Sequence, residues 1–150
     1  MKKIIILILC TFIYGCGYSS VYKDKEEIDL FINVVNFKGD FEISNFIRNQ
    51  LKIASDVNST KKHEINFETK YEKIILAKDS TGKATDYRLN MSVKFQLLSK
   101  NNKEINFNQS FKIKSTENFE QSNYEKEIKR NFSKAAKDEL IHNLINLNDN

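Results

Sequence analysis

The chain has 150 residues, a formal net charge of +4 and only two cysteines. This length accommodates one domain with a modest hydrophobic core. Loss of Lys2 and Lys3 with the N-terminal segment described below would lower the charge from +4 to about +2. That charge is too small, and too evenly interleaved with acidic residues, to indicate a nucleic-acid-binding protein.

The start of the chain has the pattern of an export signal. Two lysines precede an apolar run of eleven residues from Ile4 to Tyr14, which as a helix would be about 16 Å long. That is roughly half the hydrocarbon core of a bilayer, so the run is too short to span a membrane and matches a signal peptide. At its end, Ile13-Tyr14-Gly15-Cys16 resembles a bacterial lipobox, in which the cysteine is acylated before cleavage.

We therefore predict a lipoprotein signal peptide over residues 1–15, lipidation of Cys16 and a lipidated tether over residues 16–26. The alternative is an ordinary secretory signal in which Cys16 plays no part, but no small-x-small cleavage site and no longer apolar segment follows. Since Cys10 lies in the discarded segment, the mature domain would contain no cysteine for a disulfide or a metal site. Apart from the covalent lipid, we expect no cofactor and no metal.

The sequence offers no set of catalytic residues. His63 lies at the start of a predicted strand and His142 within a predicted helix, and surface or helix-flank positions are the simplest interpretation of both. None of the common nucleophile, phosphate-binding, dinucleotide-binding or zinc motifs occurs. We therefore predict that the protein is not an enzyme, because a lipid-anchored hydrolase would need a nucleophile and a base.

A single domain is predicted over residues 27–147, and it begins with a strand and a helix. Apolar residues from Ile28 to Val35 fall on both faces, which favours a strand in the interior of a sheet. Gly39-Asp40 ends this strand. Apolar residues at helical spacing from Ile43 to Ala54 then predict an amphipathic helix of about twelve residues.

Three strands follow, and their alternation is the clearest local signal in the chain. Apolar and polar residues alternate over Ile65–Tyr71, Tyr87–Leu97 and Ile105–Ile113. Such a period of two indicates strands with one packed face and one wet face. The run Ile74-Ile75-Leu76 breaks the period and predicts a bulge or cover on both faces. Hairpin turns are predicted at Asp79–Gly82 and Ser99–Lys103.

The last predicted element is a long helix, followed by a polar tail over residues 148–150. Ser122 and Glu125 have the spacing of a capping box, and an apolar stripe runs from Tyr124 to Leu144. The order β-α-β-β-β-α predicts an α+β fold: a two-layer sandwich of a four-stranded, mostly antiparallel sheet with two helices packed on one face. The first strand is expected to run parallel to a neighbour through a right-handed crossover.

Five stretches, in order along the chain, together resemble one protein family. They are Gly15-Cys16-Gly17-Tyr18, Ile47-Arg48-Asn49-Gln50-Leu51, Ala77-Lys78-Asp79, Ala84 to Leu89, and Phe132-Ser133-Lys134-Ala135-Ala136 with Leu140. With the lipobox and the order of elements, they make the chain similar to the lipopolysaccharide-assembly lipoproteins of the LptE type. The resemblance extends from Cys16 to about Leu147.

This resemblance implies a specific function. The chain is expected to be lipid-anchored in the outer membrane, on the periplasmic side, and to plug and support an LptD-type β-barrel that inserts lipopolysaccharide in the outer leaflet. Gly17 after the cysteine resembles the signal for outer-membrane delivery. In the family, basic residues near the hairpin of the second and third strands are implicated in binding lipopolysaccharide, which points to Lys78, Lys83 and Arg88 here.

The predicted wet face of the sheet is compatible with this implication. It carries Arg88, Asn90, Ser92, Lys94, Gln96, Asn106, Asn108, Ser110 and Lys112, with no apolar patch. A barrel lumen is polar and water-filled, although any soluble sheet also has a polar face. The alternative function is a generic outer-membrane lipoprotein that acts as a pilotin or assembly factor for another envelope complex.

Overall fold

A computed structural model describes residues 29–99, 102–115 and 118–148 of the chain. Its elements are β1 (Phe31–Gly39), α1 (Phe41–Ala54), β2 (Lys62–Lys78), β3 (Ala84–Leu97), β4 (Glu104–Lys114) and α2 (Asn118–Asn148). The predicted α+β fold and its order of elements are confirmed. The predicted signal peptide, Cys16, the tether and residues 149–150 of the predicted tail lie outside the described residues.

The four strands form one sheet in the order β1-β2-β3-β4. β2, β3 and β4 are antiparallel neighbours, whereas β1 runs parallel to β2, as expected. β1 therefore lies at an edge of this sheet, and the prediction of an interior strand was wrong. The apolar residue Val35, which suggested a second packed face, is the unpaired residue of a β-bulge and is 54% exposed.

Both helices pack on one face of the sheet and share a single core with it. The helices contribute Ile43, Ile47 and Leu51 of α1, and Ile128, Phe132, Ala136, Leu140, Ile141 and Leu144 of α2. Every second residue of β3 from Leu89 to Leu97 points into this core, which is the alternation that the sequence predicts. Tyr124, which the sequence places on the apolar stripe of α2, is instead exposed.

One glycine and a pair of buried hydroxyls fix the junction between β1 and α1. Gly39 has a φ of +108°, and a Cβ at this position would lie 1.8 Å from the carbonyl oxygen of Thr69. Asp40 then caps α1, since its carboxylate accepts a hydrogen bond from the N–H of Ile43 at 2.9 Å. The hydroxyls of Thr69 and Ser44 hydrogen-bond at 2.8 Å, which satisfies two buried polar groups between sheet and helix.

α2 begins earlier than the sequence predicts. Because the helix starts at Asn118, Ser122 and Glu125 lie inside it and do not form the predicted capping box. The Glu125 carboxylate instead accepts a hydrogen bond from Tyr71 at 3.0 Å and pairs with Lys73. Burial alone would raise the pKa of Glu125, but the hydrogen bonds from Lys73 and Tyr71 outweigh it and lower the pKa. A contact with the sheet has thus replaced the local capping pattern.

Candidate functional site

The candidate site is the face of the sheet that the helices leave uncovered, which we call the open face. Its side chains are Phe31, Asn33, Asn36 and Lys38 of β1, Lys62, Glu64, Asn66, Glu68, Lys70, Glu72 and Ile74 of β2, Asp86, Arg88, Asn90, Ser92, Lys94 and Gln96 of β3, and Glu104, Asn106, Asn108, Ser110, Lys112 and Lys114 of β4. Every residue predicted for the wet face lies on it. Apart from Phe31 and Ile74, these side chains all carry hydrogen-bonding groups.

Toward the start of β2, the charged side chains of the open face pair with one another. Lys38 contacts Glu68 at 3.1 Å, and Lys94 contacts Glu104 at 2.7 Å. Gln96 also donates to Glu104 at 3.0 Å. The hydrogen bonds from Lys94 and Gln96 lower the pKa of Glu104, so its carboxylate stays charged to a lower pH than that of a free glutamate. This part of the open face is therefore close to electrically neutral.

The part of the open face nearest the β2–β3 turn instead carries cations that take part in no ion pair among the described residues. Arg88 and Lys112 lie directly opposite each other on β3 and β4, and Ile74 is the neighbour of Arg88 on β2. None of the ion pairs among the described residues involves Arg88 or Lys112. Like charges directly opposite each other destabilise a sheet. A bound anion would relieve this repulsion, so the pair is suited to a phosphate or carboxylate ligand.

Lys78 and Lys83 flank the turn that joins β2 to β3. Gly82 closes this turn with an N–H that donates to the Asp79 carbonyl at 3.0 Å. The Asp79 carboxylate accepts hydrogen bonds from the Thr81 hydroxyl at 2.6 Å and from the Lys83 N–H at 3.0 Å. These bonds, the one from Thr81 first, lower the pKa of Asp79. The turn is thus held by its own residues, and both lysine side chains remain exposed.

The three predicted phosphate contacts do not form one cluster. Lys78 pairs with Ala84 and so lies next to Lys83, whereas Arg88 lies four residues beyond Ala84, about 13 Å along the strand. The nearest cation across the sheet from Arg88 is Lys112, which the sequence places on the wet face but not among the candidate ligands. Alternation shows which face a residue lies on, but only the register of the β3–β4 hairpin shows which residue lies opposite.

The two histidines belong to separate elements. His63 lies near the start of β2, where burial lowers its pKa, and His142 is exposed on α2. In the described ranges, no three His, Cys, Asp or Glu side chains are grouped closely enough to hold a metal ion. None of the helices in these ranges combines the length and the apolar character needed to cross a membrane.

Comparisons with known proteins relate this fold to envelope lipoproteins. The sequence model of LptE, described as lipopolysaccharide-assembly, matches residues 29–145. The structure is similar to rare lipoprotein B from Shewanella oneidensis, with a TM-score of 0.52 and 14% identity over 79% of this chain and 95% of that chain. It is also similar to a minor lipoprotein from Acinetobacter baumannii, with a TM-score of 0.50 and 13% identity over 74% and 94% of the respective chains. At these identities the two structures establish a shared fold. No curated protein matches the chain.

Proposed function

The chain belongs to the LptE lipopolysaccharide-assembly family, and we propose that it is a lipid-anchored outer-membrane lipoprotein that plugs and supports an LptD-type β-barrel. In this proposal the pair inserts lipopolysaccharide in the outer leaflet, and the chain contributes binding surfaces but no covalent chemistry. The family match over residues 29–145 is the observation that supports the assembly role.

The open face supports the proposed position in a barrel lumen. A lumen is lined by polar side chains and water. A plug that presents amides, hydroxyls and paired charges exchanges its hydrogen bonds with water for hydrogen bonds with lumen groups, directly or through bridging waters. On β3 and β4, the row of Asn90, Ser92, Asn106, Asn108 and Ser110 supplies such uncharged groups. The Ser110 hydroxyl already donates to the Asn90 amide oxygen at 2.9 Å, so these two side chains are held together in the free protein.

The cationic end of the open face supports contact with lipopolysaccharide. Lipid A carries phosphates, and an arginine guanidinium binds phosphate through a directional fork, while lysine acts as a point charge. We propose that Arg88 binds a phosphate together with the neighbouring Lys112, and that Lys78 and Lys83 add attraction at the turn. Because Arg88 and Lys112 repel each other in the free protein, binding an anion also removes an unfavourable interaction.

The proposed anchor is the lipid on Cys16. The lipobox-like segment Ile13-Tyr14-Gly15-Cys16 supports it, and Gly17 supports delivery to the outer membrane. Mass analysis of the mature protein tests the anchor, with Cys16→Ser as the unacylated control. We expect an acylated N-terminal cysteine in the wild type. A wild-type N-terminus without acyl mass would reject the anchor but leave the barrel partnership to its own test.

Co-purification tests the barrel partnership. A tagged full-length chain, extracted from membranes in detergent, is expected to recover a large β-barrel in roughly equal amount. Recovery of a secretin, or of no barrel, would favour the alternative of a pilotin or assembly factor. Depletion of the chain should also lower surface lipopolysaccharide, and unchanged surface levels would contradict the assembly role.

A charge reversal tests the ligand contact. Arg88→Glu places a carboxylate where the phosphate is proposed to bind, and we expect retention of lipopolysaccharide on the purified chain to fall about tenfold, as for loss of a charge-assisted hydrogen bond. Arg130→Glu is the matched control, because Arg130 is an exposed arginine on α2, in the helix layer. Equal losses in both variants would indicate nonspecific attraction to net charge and would reject the assigned contact.

A further inference from the structure

Both helices end at the same end of the domain, which we call the base. β1, β2 and β4 start at the base and β3 ends there, while the β2–β3 turn lies at the far end. α1 and α2 each follow a strand that leaves the base, so each runs back toward it. The N–H of Asp56, just after α1, donates to the Leu30 carbonyl at 3.0 Å. The end of α1 therefore lies against the point where the chain enters β1.

Large apolar side chains are exposed at the base. Ile53, in the last turn of α1, is 63% exposed, and Val57, in the following turn, is 75% exposed. Ile53 lies off the buried stripe of its helix, so the core of the domain cannot cover it. The other exposed apolar residues at this end are Leu98, just after β3, and Ile145 and Leu147, in the last turns of α2. Apolar side chains gathered at one end of a domain indicate a contact surface.

The path of the chain indicates what this surface contacts. Asp29 directly precedes Leu30 at the base, and 13 residues, 16–28, separate it from the proposed lipid on Cys16. A segment of this length spans at most about 45 Å. The lipid would therefore hold the base near the bilayer surface. Because the second contact is then effectively intramolecular, it requires little affinity of its own.

The charges at the base are compatible with lipid headgroups. Among the described residues, the lysines exposed there are Lys52, Lys61, Lys62 and Lys103, and the acidic residues outside ion pairs are Asp29, Asp56 and Glu64. Four lysines against three carboxylates make this end slightly cationic, so anionic headgroups do not repel it. The apolar side chains would supply most of the attraction, and lysines beside them can reach lipid phosphates.

We propose that, before the chain enters a barrel, its base docks on the bilayer surface that holds the Cys16 lipid, with Ile53 and Val57 among the headgroups. This inference rests on the proposed anchor and does not require the barrel. In the docked chain the strands point away from the membrane, and the β2–β3 turn stands about 55 Å from it. The open face and its cationic end are thereby left uncovered for a partner.

Quenching of a fluorescent label by brominated lipids tests this inference. No cysteine follows Cys16, so in the mature acylated protein an introduced cysteine takes a thiol-reactive dye alone. The label is placed by Asn58→Cys, beside Val57, or by Ser80→Cys, in the β2–β3 turn, both at exposed residues. The lipidated protein is reconstituted in vesicles of phosphatidylethanolamine and phosphatidylglycerol, with or without bromine on the acyl chains. We expect about twofold or greater quenching at position 58, at interfacial depth, and none at position 80.

Matched variants separate apolar docking from mere tethering. Ile53→Asp should reduce the quenching at position 58 by about half or more, because a carboxylate replaces an inserted apolar side chain. Phe41→Asp makes the same kind of change at a residue of α1 that is 81% exposed at the far end, and quenching at position 58 should persist. Raising salt from about 0.1 M to 1 M should also leave it nearly unchanged, because screening weakens charge attraction but not apolar contact.

The outcomes distinguish failure of the docking from failure of the proposed function. Equal quenching at positions 58 and 80, or none at position 58 in the acylated protein, would overturn docking by the base and leave the proposed function standing. A dye that escapes bromine at position 58 but quenches itself as the protein-to-lipid ratio rises would show that a second copy covers the base, which would also overturn it. Dye attached to the wild-type protein at Cys16 would reveal a free thiol and reject the anchor, and the inference would fall with it.

Discussion

The two halves of β2 belong to one continuous strand but have different surroundings. In the first half, β1 pairs with Lys62–Thr69 and β3 pairs from Ile65 onward, and the alternate side chains Ile65, Phe67 and Thr69 are buried. Among the described residues, the second half, residues 70–78, which we call the free edge, has one neighbouring strand and no fully buried side chain. The first half therefore contributes to the core of the domain, whereas the second half contributes little to it. The difference arises because β1 ends at Gly39, opposite Thr69.

The largest expected effect lies at the boundary between these halves. In Gly39→Ala, the new methyl group would meet the Thr69 carbonyl at 1.8 Å while the backbone keeps a φ of +108°. We expect a loss of about 4 kcal/mol in the free energy of unfolding, since strand and helix must separate to admit it. Urea denaturation followed by circular dichroism measures this loss.

Gly82→Ala is the control for Gly39→Ala. Gly82 also has a positive φ, +84°, but no atom lies within 4 Å of an added Cβ. Its cost should be limited to about 1 kcal/mol of backbone strain. Equal losses at the two glycines would show that backbone conformation alone, rather than the contact with Thr69, determines the effect.

The next largest effect compares isoleucines from the two halves. Ile65→Ala removes a side chain that is 0% exposed, and we expect it to lower the free energy of unfolding by about 3 kcal/mol through lost burial and a cavity. Ile75→Ala removes a half-exposed side chain from the free edge and should cost less than about 1 kcal/mol. The same denaturation measurement checks both. Comparable losses would mean that the free edge is as well packed as the first half of β2.

Much of this fold could be predicted from the sequence, because alternation is a local property of each strand. Leu89 to Leu97 of β3 are buried at every second residue, as their pattern indicates. The position of β1 could not be predicted, because Val35 fits the sequence pattern of a packed residue, whereas in the folded strand it lies at a bulge and is exposed. The start of α2 was also missed, because Glu125 binds Tyr71 and Lys73 of the sheet, residues that are distant in the sequence.

The candidate site was only partly predictable, for a related reason. Lys78, Lys83 and Arg88 are close in sequence, but an extended strand separates Arg88 from the turn by about 13 Å. The neighbour of Arg88 is Lys112, on the next strand. Which face a residue occupies follows from counting by two, whereas which residue lies opposite depends on turn geometry. Residues 100–101 of that turn lie outside the described ranges.

A pH effect tests how the start of the free edge is held against α2. Because its hydrogen bonds lower the pKa of Glu125 in the folded protein, the unfolded state binds more protons at mildly acidic pH. The Glu125 contribution is therefore present above pH ~5 and lost as pH falls through the lowered pKa. After allowance for solvent screening, we expect Glu125→Gln to cost about 1 kcal/mol at neutral pH, and this difference from the wild type to disappear once the pH falls below the lowered pKa of Glu125.

Denaturation of wild type and variant at a series of pH values measures this difference. Glu127→Gln is the control, because Glu127 is exposed on the same helix and its ion pair with Arg130 is a long one, at 4.0 Å. It should remain within a few tenths of a kcal/mol of the wild type at every pH. A Glu125→Gln difference that did not change with pH would show that hydrogen bonding by either form of the side chain, rather than its charge, holds α2 to β2.

The smallest expected effect has the opposite sign. Lys112→Gln removes the like charge opposite Arg88, so the free energy of unfolding should rise by about 0.5 kcal/mol. The same variant should bind lipopolysaccharide less well, since it removes a proposed phosphate contact. Lys103→Gln, at an exposed lysine in the β3–β4 turn, should do neither.

Salt dependence separates this repulsion from other causes of a small stabilisation. The gain in Lys112→Gln should shrink as salt rises from about 0.01 M to 1 M, because screening weakens repulsion between exposed charges. A loss of stability instead would mean that the Lys112 stem packs usefully on the sheet. A gain in stability combined with weaker ligand binding would show that Lys112 lowers the stability of the free protein but strengthens the binding of an anion.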